Sequence, residues 1–205
     1  MVILEVLQIP AGEMDNFAYL VFCPQTRQAV VVDPSLAPQA VLGKAKEEQL
    51  EIVGLLNTHG HQDHIAGNAE ILAFAPVPHW GHPLDLPAAE KSLTEGAEVP
   101  VGNGVIRVLH TPGHTPGSVV LNTGAGLITG DTLFVGRCGR ADLPGSDVNQ
   151  LYDSLQRLKG LPAELKVYPG HDYGTRPVST LREELRENPF FNAPDRESFI
   201  KIRMG

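Results

Sequence analysis

Thr58-His59-Gly60-His61-Gln62-Asp63-His64 decides how the rest of this chain is read. The apolar run Ile52 to Leu56 before it reads as a β-strand, so three imidazoles and a carboxylate leave one strand end together. His59 and His61 are two apart, and a loop can turn both rings toward one point. Asp63 and His64 can face a second point a few ångströms away. Three later blocks have the same character. Pro112-Gly113-His114-Thr115-Pro116-Gly117 sets His114 among turn formers, Thr129-Gly130-Asp131 ends another apolar run, and Tyr168-Pro169-Gly170-His171-Asp172-Tyr173 sets His171 after Pro-Gly.

Together the blocks supply five imidazoles and two carboxylates, enough for two adjacent divalent ions. These donors suit zinc first, with iron and manganese also accommodated. The natural division gives His59, His61 and His114 to one ion and Asp63, His64 and His171 to the other, with Asp131 bridging. Two ions ~3.5 Å apart can share a hydroxide and orient it for attack. One His-x-His pair would be read as ordinary surface or core residues; four blocks with complementary donors outweigh that reading.

Outward from the His-rich block, the chain is strand-rich twice, with helices after each half. Val2 to Ile9, Phe17 to Phe22 and Ala29 to Val32 are short, β-branched or aromatic runs bounded by Pro, Gly or Asp, and read as strands. Pro38 to Gln49 has helical spacing of Ala40, Val41, Ala45 and Leu50. Ile65 to Phe74 reads as one helix, Val77 to Trp80 as a short strand, and Gly81 to Glu98 as irregular or partly helical. Val105–Leu109, Ser118–Leu121 and Gly126–Ile128 are strands again. Gly136 to Ser146 is a glycine-rich loop, and Val148 to Lys159 is a helix with Leu151, Leu155 and Leu158 on one face. Leu165 to Tyr168 is a last strand, Thr180 to Asn188 a charged helix stopped near Pro189, and Arg196 to Ile202 a further helix. The order predicts an α/β fold: two mixed sheets packed face to face, helices outside, and the metal site along the edge where the halves meet.

The chain's 205 residues suit one large domain or two small ones with a substantial core, and 42% hydrophobic with 20% charged residues is ordinary for a globular protein. A formal net charge of −8 argues against a nucleic-acid partner, which wants a basic face, and leaves room for a small anionic substrate. No apolar run reaches membrane-spanning length, and the N-terminus lacks a signal-peptide pattern, so no membrane association and a cytoplasmic setting are expected. Cys23 and Cys138 read as reduced thiols. The oligomeric state is left open.

His59-Gly60-His61-Gln62-Asp63-His64, with His114, Asp131 and His171 downstream, resembles the metallo-β-lactamase superfamily across nearly the whole chain. That resemblance implies a four-layer αβ/βα sandwich, a single domain over residues 1–205, and the two-ion division given above. Within the superfamily, Asp15-Asn16-Phe17-Ala18-Tyr19-Leu20 and Gly130-Asp131-Thr132-Leu133-Phe134-Val135 are similar to glyoxalase II, the hydroxyacylglutathione hydrolases. This implies a metal-dependent hydrolase that cleaves a thioester such as an S-acyl glutathione by a metal-bound hydroxide. Asp63 and Asp131 are then catalytic as well as ligating, and Arg140 and Tyr173 contact the substrate. A second tyrosine of that family falls at Asp142, a departure. With 34 residues after His171, the helical domain that completes the glutathione site in larger members is not expected here.

A second branch is also similar. Gly136-Arg137-Cys138-Gly139-Arg140-Ala141-Asp142 and Ser179-Thr180-Leu181-Arg182-Glu183-Glu184 resemble the persulfide dioxygenases. That branch implies one iron on His59, His114 and Asp131, a two-histidine, one-carboxylate set, and glutathione persulfide as substrate. A non-catalytic metal-binding protein of the same fold is a third alternative. His79 and His82, flanking Trp80-Gly81, lack accompanying carboxylates or thiols and read as structural. His110 is expected beside the metal ligands or in the core. Asp33 is expected to brace the metal loops by hydrogen bonds rather than bind an ion.

Overall fold

The computed structural model describes residues 2–205. Strands β1 (Glu5–Pro10), β2 (Phe17–Phe22) and β3 (Gln28–Val32) form a meander. Helix α1 (Pro38–Glu47) crosses over to β4 (Glu51–Leu56). Helices α2 (Gln62–Ile65) and α3 (Asn68–Phe74) lead to β5 (His79–Gly81) and β6 (Lys91–Ser92). The second half opens with the hairpin β7 (Glu98–Val101) and β8 (Gly104–His110), then β9 (Val119–Asn122) and β10 (Gly126–Gly130). A small hairpin, β11 (Leu133–Phe134) and β12 (Arg137–Cys138), precedes α4 (Val148–Lys159). Strands β13 (Lys166–Pro169) and β14 (Ser179–Thr180) and helices α5 (Leu181–Glu187) and α6 (Arg196–Met204) complete the chain.

Two six-stranded sheets result, ordered β1-β2-β3-β4-β5-β6 and β14-β13-β10-β9-β8-β7. All six residues of β2 and all five of β10 are buried, which fits strands covered on both faces. Alternation along each strand divides the work. Tyr19, Val21, Val30 and Leu56 face Ile106, Val108, Leu121 and Ile128 between the sheets. Leu20, Val31 and Leu55 pack outward on Val41 and Ala45 of α1 and Ile71 of α3. On the other side Val120, Leu127 and Val167 cluster with Leu151, Leu155 and Leu158 of α4 and Phe199 of α6. The layers are therefore helix, sheet, sheet, helix, the expected α/β sandwich.

Side chains cap the later helices. The Asp147 side chain accepts from Asn149 and Gln150 at the start of α4, and Thr180 with Glu183 forms a reciprocal capping box on α5. Phe199 anchors α6 and lies fully buried, its ring 5.4 Å from that of Tyr152 on α4. Phe199→Ala is expected to cost ~3–5 kcal/mol of stability, read from the denaturant midpoint. A change below 1 kcal/mol would show that α6 contributes little to the packed layer.

The structure departs from the sequence reading in several places. The first strand starts at Glu5 rather than Val2, and the short strand after α3 covers His79–Gly81 rather than Val77 to Trp80. The helix expected over Ile65–Phe74 is two helices, parted at Ala66-Gly67, where the backbone presses on a neighbour: a Cβ on Gly67 would lie 2.9 Å from the Ser35 carbonyl oxygen. Gly81 to Glu98 carries no helix; its regular structure is β6 and the start of β7. The glycine-rich loop contains β12, paired with β11. Among the described residues, no helix is long and apolar enough to cross a membrane.

Strand direction gathers the functional loops. β3 and β4 are parallel, as are β10 and β13. β8 is antiparallel to β9, which is antiparallel to β10, so β8 runs with β10. The C-terminal ends of β3, β4, β8, β10 and β13 thus share one edge of the sandwich. There Val119 N–H donates to the Thr58 carbonyl at 2.9 Å and joins the two sheets.

Candidate metal centre

All seven predicted donors converge at that edge. His59 and His61 follow β4, and His61 is the N-cap of α2, which carries Asp63 and His64. His114 lies between β8 and β9, Asp131 directly follows β10, and His171 comes two residues after β13. His59, His64, His114, Asp131 and His171 are buried, and His61 and Asp63 half-buried.

The donor atoms form two groups. His61 Nδ1 lies 3.2 Å from His59 Nε2 and 3.0 Å from His114 Nε2. His64 Nε2 lies 3.2 Å from His171 Nε2, and Asp63 Oδ2 lies 3.5 Å and 3.3 Å from those two nitrogens. Asp131 stands between the groups. Its Oδ2 is 3.5 Å from His114 Nε2 and 3.4 Å from His171 Nε2, and its Oδ1 is 3.3 Å from His64 Nε2.

Hydrogen bonds on the far side of four of the five rings bear on the tautomers. His114 Nδ1 and His171 Nδ1 face the carbonyls of Arg140 and Met14 at 2.9 Å each, and a carbonyl only accepts. Both rings therefore carry the proton on Nδ1 and turn an Nε2 lone pair inward. His64 Nδ1 donates to Asp33 Oδ2 at 3.1 Å. The Thr58 hydroxyl donates to the same oxygen at 2.6 Å and accepts from His59 Nδ1 at 3.1 Å. Asp33 Oδ1 accepts from Thr58 N–H at 2.9 Å and Asn57 Nδ2 at 3.2 Å. Asp33 is thus a fully buried brace beneath two histidines, held at φ 46°, a conformation L-residues rarely adopt.

The donors meet the requirements of cations on three counts. Ligands ~2.0–2.1 Å from a zinc-like ion sit ~3.0–3.4 Å from one another around it, and the distances above are 3.0–3.5 Å. Asp131 Oδ1 is buried with no well-directed hydrogen bond, a costly arrangement without a cation. The backbone is also cut back to make room: a Cβ on Gly170 would lie 2.3 Å from Asp131 Oδ1 and 2.9 Å from His64 Cε1.

Electrostatics point the same way. Burial alone would raise the Asp131 carboxyl, but His64 and His171 override it and hold it well below the usual carboxylate range. Asp63 behaves likewise: burial opposes, while His171, His64 and Asn16 lower it. Burial would depress His64, yet Asp131 and Asp33 lift it well above an ordinary imidazole. His171 is lifted against burial to about 9 by Asp131 and Asp63. Burial keeps His59 and His114 low, with Asp131 partly opposing. The two carboxylates therefore make a trap for positive charge at the point where the inward-facing imidazole nitrogens meet.

A cavity of about 470 Å³ lies beside the centre, lined by Phe134, Arg137, Cys138, Arg140, Tyr173, Phe190 and Arg203 among others. The Tyr173 ring stacks on His171 at 4.6 Å with planes 8° apart, and Phe134 meets His171 edge-on at 5.8 Å. The Arg140 guanidinium forks onto Asp142, Nε to Oδ1 at 2.9 Å and Nη2 to Oδ2 at 2.8 Å. That pairing holds the Asp142 carboxyl down at about 2. Burial pushes the Cys138 thiol up to about 12, so it is not a poised nucleophile. A larger groove of about 790 Å³ between α1, α3 and β4 contains none of the seven donors.

The remaining histidines stand apart from the donor set. His82 and His110 stack on each other at 4.4 Å, and His110 Nε2 bonds the Pro116 carbonyl at 2.9 Å. His110 is thus neither against the ligands nor in the core. His79 bonds Asn57 Oδ1 at 2.8 Å. Sequence reasoning missed Arg137 and Arg203 at the cavity, and Asp85 beneath the loops. Arg203 sits on the last helix, where a basic residue near a C-terminus carries no distinguishing signal.

Comparison with known proteins agrees with this architecture. Residues 11–171 match the family described as the metallo-beta-lactamase superfamily. A hydroxyacylglutathione hydrolase of Rhodospirillum rubrum is 41% identical over 172 residues, covering 82% of this chain and 66% of that protein, so the chain spans about two thirds of its length. A hydroxyacylglutathione hydrolase of Methylococcus capsulatus is 39% identical, over 98% of this chain and 91% of that protein. The crystal structure of ETHE1 from Myxococcus xanthus superposes with a TM-score of 0.92 at 37% identity, covering 98% of this chain and 90% of that one. With the histidine block on one sheet, its complement on the other and a family match over most of its length, the chain belongs to the metallo-β-lactamase superfamily.

Proposed function

We propose that this chain is a glyoxalase II-like metallohydrolase that cleaves the thioester of a small acylated thiol, S-acyl glutathione being the type. The observation that carries the reading is the reach of Asp131 into both donor groups, 3.5 Å from His114 and 3.4 Å from His171. The hydroxyacylglutathione hydrolases at 41% and 39% identity support the substrate class.

His59, His61 and His114 would hold one divalent ion and Asp63, His64 and His171 the other, with Asp131 shared; zinc fits this set, as do iron and manganese. When bound, such ions supply Lewis acidity, lowering the pKa of water toward neutrality and stabilising developing negative charge on the acyl oxygen. The chain's own groups do the rest. Asp63 Oδ2, fixed by Asn16 Nδ2 at 3.0 Å, orients the attacking water. Tyr173 and Phe134 wall the approach beside His171. The water oxygen bonds to the acyl carbon, the C–S bond breaks as the adduct collapses, and a proton from that water passes to the departing sulfur, so the carboxylic acid and the thiol are the products and the thiol leaves toward the arginine-lined cavity. Arg140 pairs there with a carboxylate on the thiol. A cytoplasmic setting accompanies this reading, since Cys23 and Cys138 are both free.

Arg140 is engaged by Asp142, so a substrate carboxylate must displace an internal one. Asp142→Asn is therefore expected to lower KM several-fold for a carboxylate-bearing thioester, with kcat little changed, and Arg140→Ala to raise it. Steady-state kinetics on charged and neutral thioesters check this; equal effects on both would remove Arg140 from the substrate site.

The test of the reaction is to supply zinc and S-lactoylglutathione and follow thiol release. A second reading draws on His59 Nε2, His114 Nε2 and Asp131 Oδ2, a two-histidine, one-carboxylate set suited to a single iron in an oxygenase. One iron per chain with oxygen uptake on glutathione persulfide, and no thioester cleavage, would establish that reading instead.

A further inference from the structure

Asp85 lies outside the donor set, in the irregular stretch between β5 and β6, yet its carboxylate touches both loops that carry the first group of histidines. Oδ2 accepts from Gly60 N–H at 3.1 Å and from the Thr115 hydroxyl at 2.5 Å, and Oδ1 accepts from Gly117 N–H at 2.8 Å. Gly60 separates His59 from His61, and Thr115 follows His114. These loops leave different sheets, one after β4 and the other between β8 and β9. Both glycines leave space for the clamp: a Cβ on Gly117 would lie 2.6 Å from Asp85 Cγ, and one on Gly60 3.0 Å from the Asp85 carbonyl oxygen.

The second group of donors has other supports. Asn16 bonds Asp63, Asp33 bonds His64, and the Met14 carbonyl bonds His171. His61 depends more on its backbone: it is half-buried, and the ring contacts that place it run to His59 and His114. Among the described residues, Asp85 is the side chain that hydrogen-bonds both sides of the His61–His114 junction.

We propose that Asp85 is a positioning residue, a carboxylate clamp that sets the separation of His61 and His114 and so the affinity of the first ion site, selectively over the second. This rests on the two-ion reading of the centre. A merely structural carboxylate would affect both sites alike.

The test uses the full chain stripped of metal and titrated with Co²⁺, whose ligand-field absorption reports each site. His61→Ala and His171→Ala identify the two spectral signatures. Asp85→Ala is expected to weaken the first site at least tenfold while the second changes less than threefold. Asp85→Asn, which can keep one face of the clamp but offers a donor at the other, should fall between wild type and Asp85→Ala; it serves as the primary variant if alanine does not fold. Equal weakening of both sites, or no weakening of the first in a folded variant, would overturn the clamp. If the wild type bound fewer than two Co²⁺, the two-ion reading would fall and the selective role with it, a result distinct from two-site binding that Asp85→Ala leaves unaltered.

Discussion

Replacing Asp131 by alanine is expected to lower kcat/KM for thioester cleavage by about 10³-fold or more, equivalent to some 4 kcal/mol of barrier. Asp131 Oδ2 approaches His114 and His171, and Oδ1 approaches His64. Its loss removes a charge common to both donor groups and leaves their imidazoles facing one another. A single ion can still be held by three donors on either side, but the relation between the two sites is gone. Metal content should fall below two per chain while the circular dichroism of the sandwich persists, because Asp131 lies beyond the end of β10 and outside the apolar clusters. Undiminished turnover in Asp131→Ala would refute the bridging role and the reaction built on it.

Asp33→Ala should cost about 3–5 kcal/mol of stability and weaken metal binding as well. The carboxylate is 1% exposed and accepts four hydrogen bonds, from Thr58 N–H, Asn57 Nδ2, the Thr58 hydroxyl and His64 Nδ1. Alanine satisfies none of them, and each donor left behind is buried too deeply for water to replace the lost partner. The damage reaches the metal centre. His64 loses the bond that fixes Nε2 inward, and His59 is held only through the Thr58 hydroxyl, which loses its own acceptor. Chemical denaturation of the metal-free protein isolates the structural part, and metal titration shows the remainder as weaker binding. A loss below 1 kcal/mol in the metal-free state would mean that water or a shifted side chain fills the brace.

The sequence exposed the centre more fully than the scaffold around it. The convergence of the seven side chains proposed as donors was legible because metal ligation restricts residue type and each block follows a strand end, so identity and position carry the same message. Asp33 was legible for a related reason, as a carboxylate ending a strand near the expected loops. Asp85 was not: it is one aspartate in a stretch without periodicity, and its three partners lie 25 to 32 residues away. The close approach of Gly67 to the Ser35 carbonyl, at the helix break, was hidden for the same reason, since Ser35 lies in a separate loop. Arg140 was read as a substrate contact, but its local pairing with Asp142 depends on a turn geometry that spacing alone does not define. Long-range contacts chosen by tertiary packing leave little trace in local pattern.

Crystals grown with zinc and measured across the zinc absorption edge test the centre most directly. Two anomalous peaks are expected, ~3.5 Å apart. One should lie among His59, His61 and His114, the other among Asp63, His64 and His171, with an oxygen of Asp131 reaching each. A lone peak at full occupancy, or peaks displaced from Asp131, would contradict a paired-ion centre.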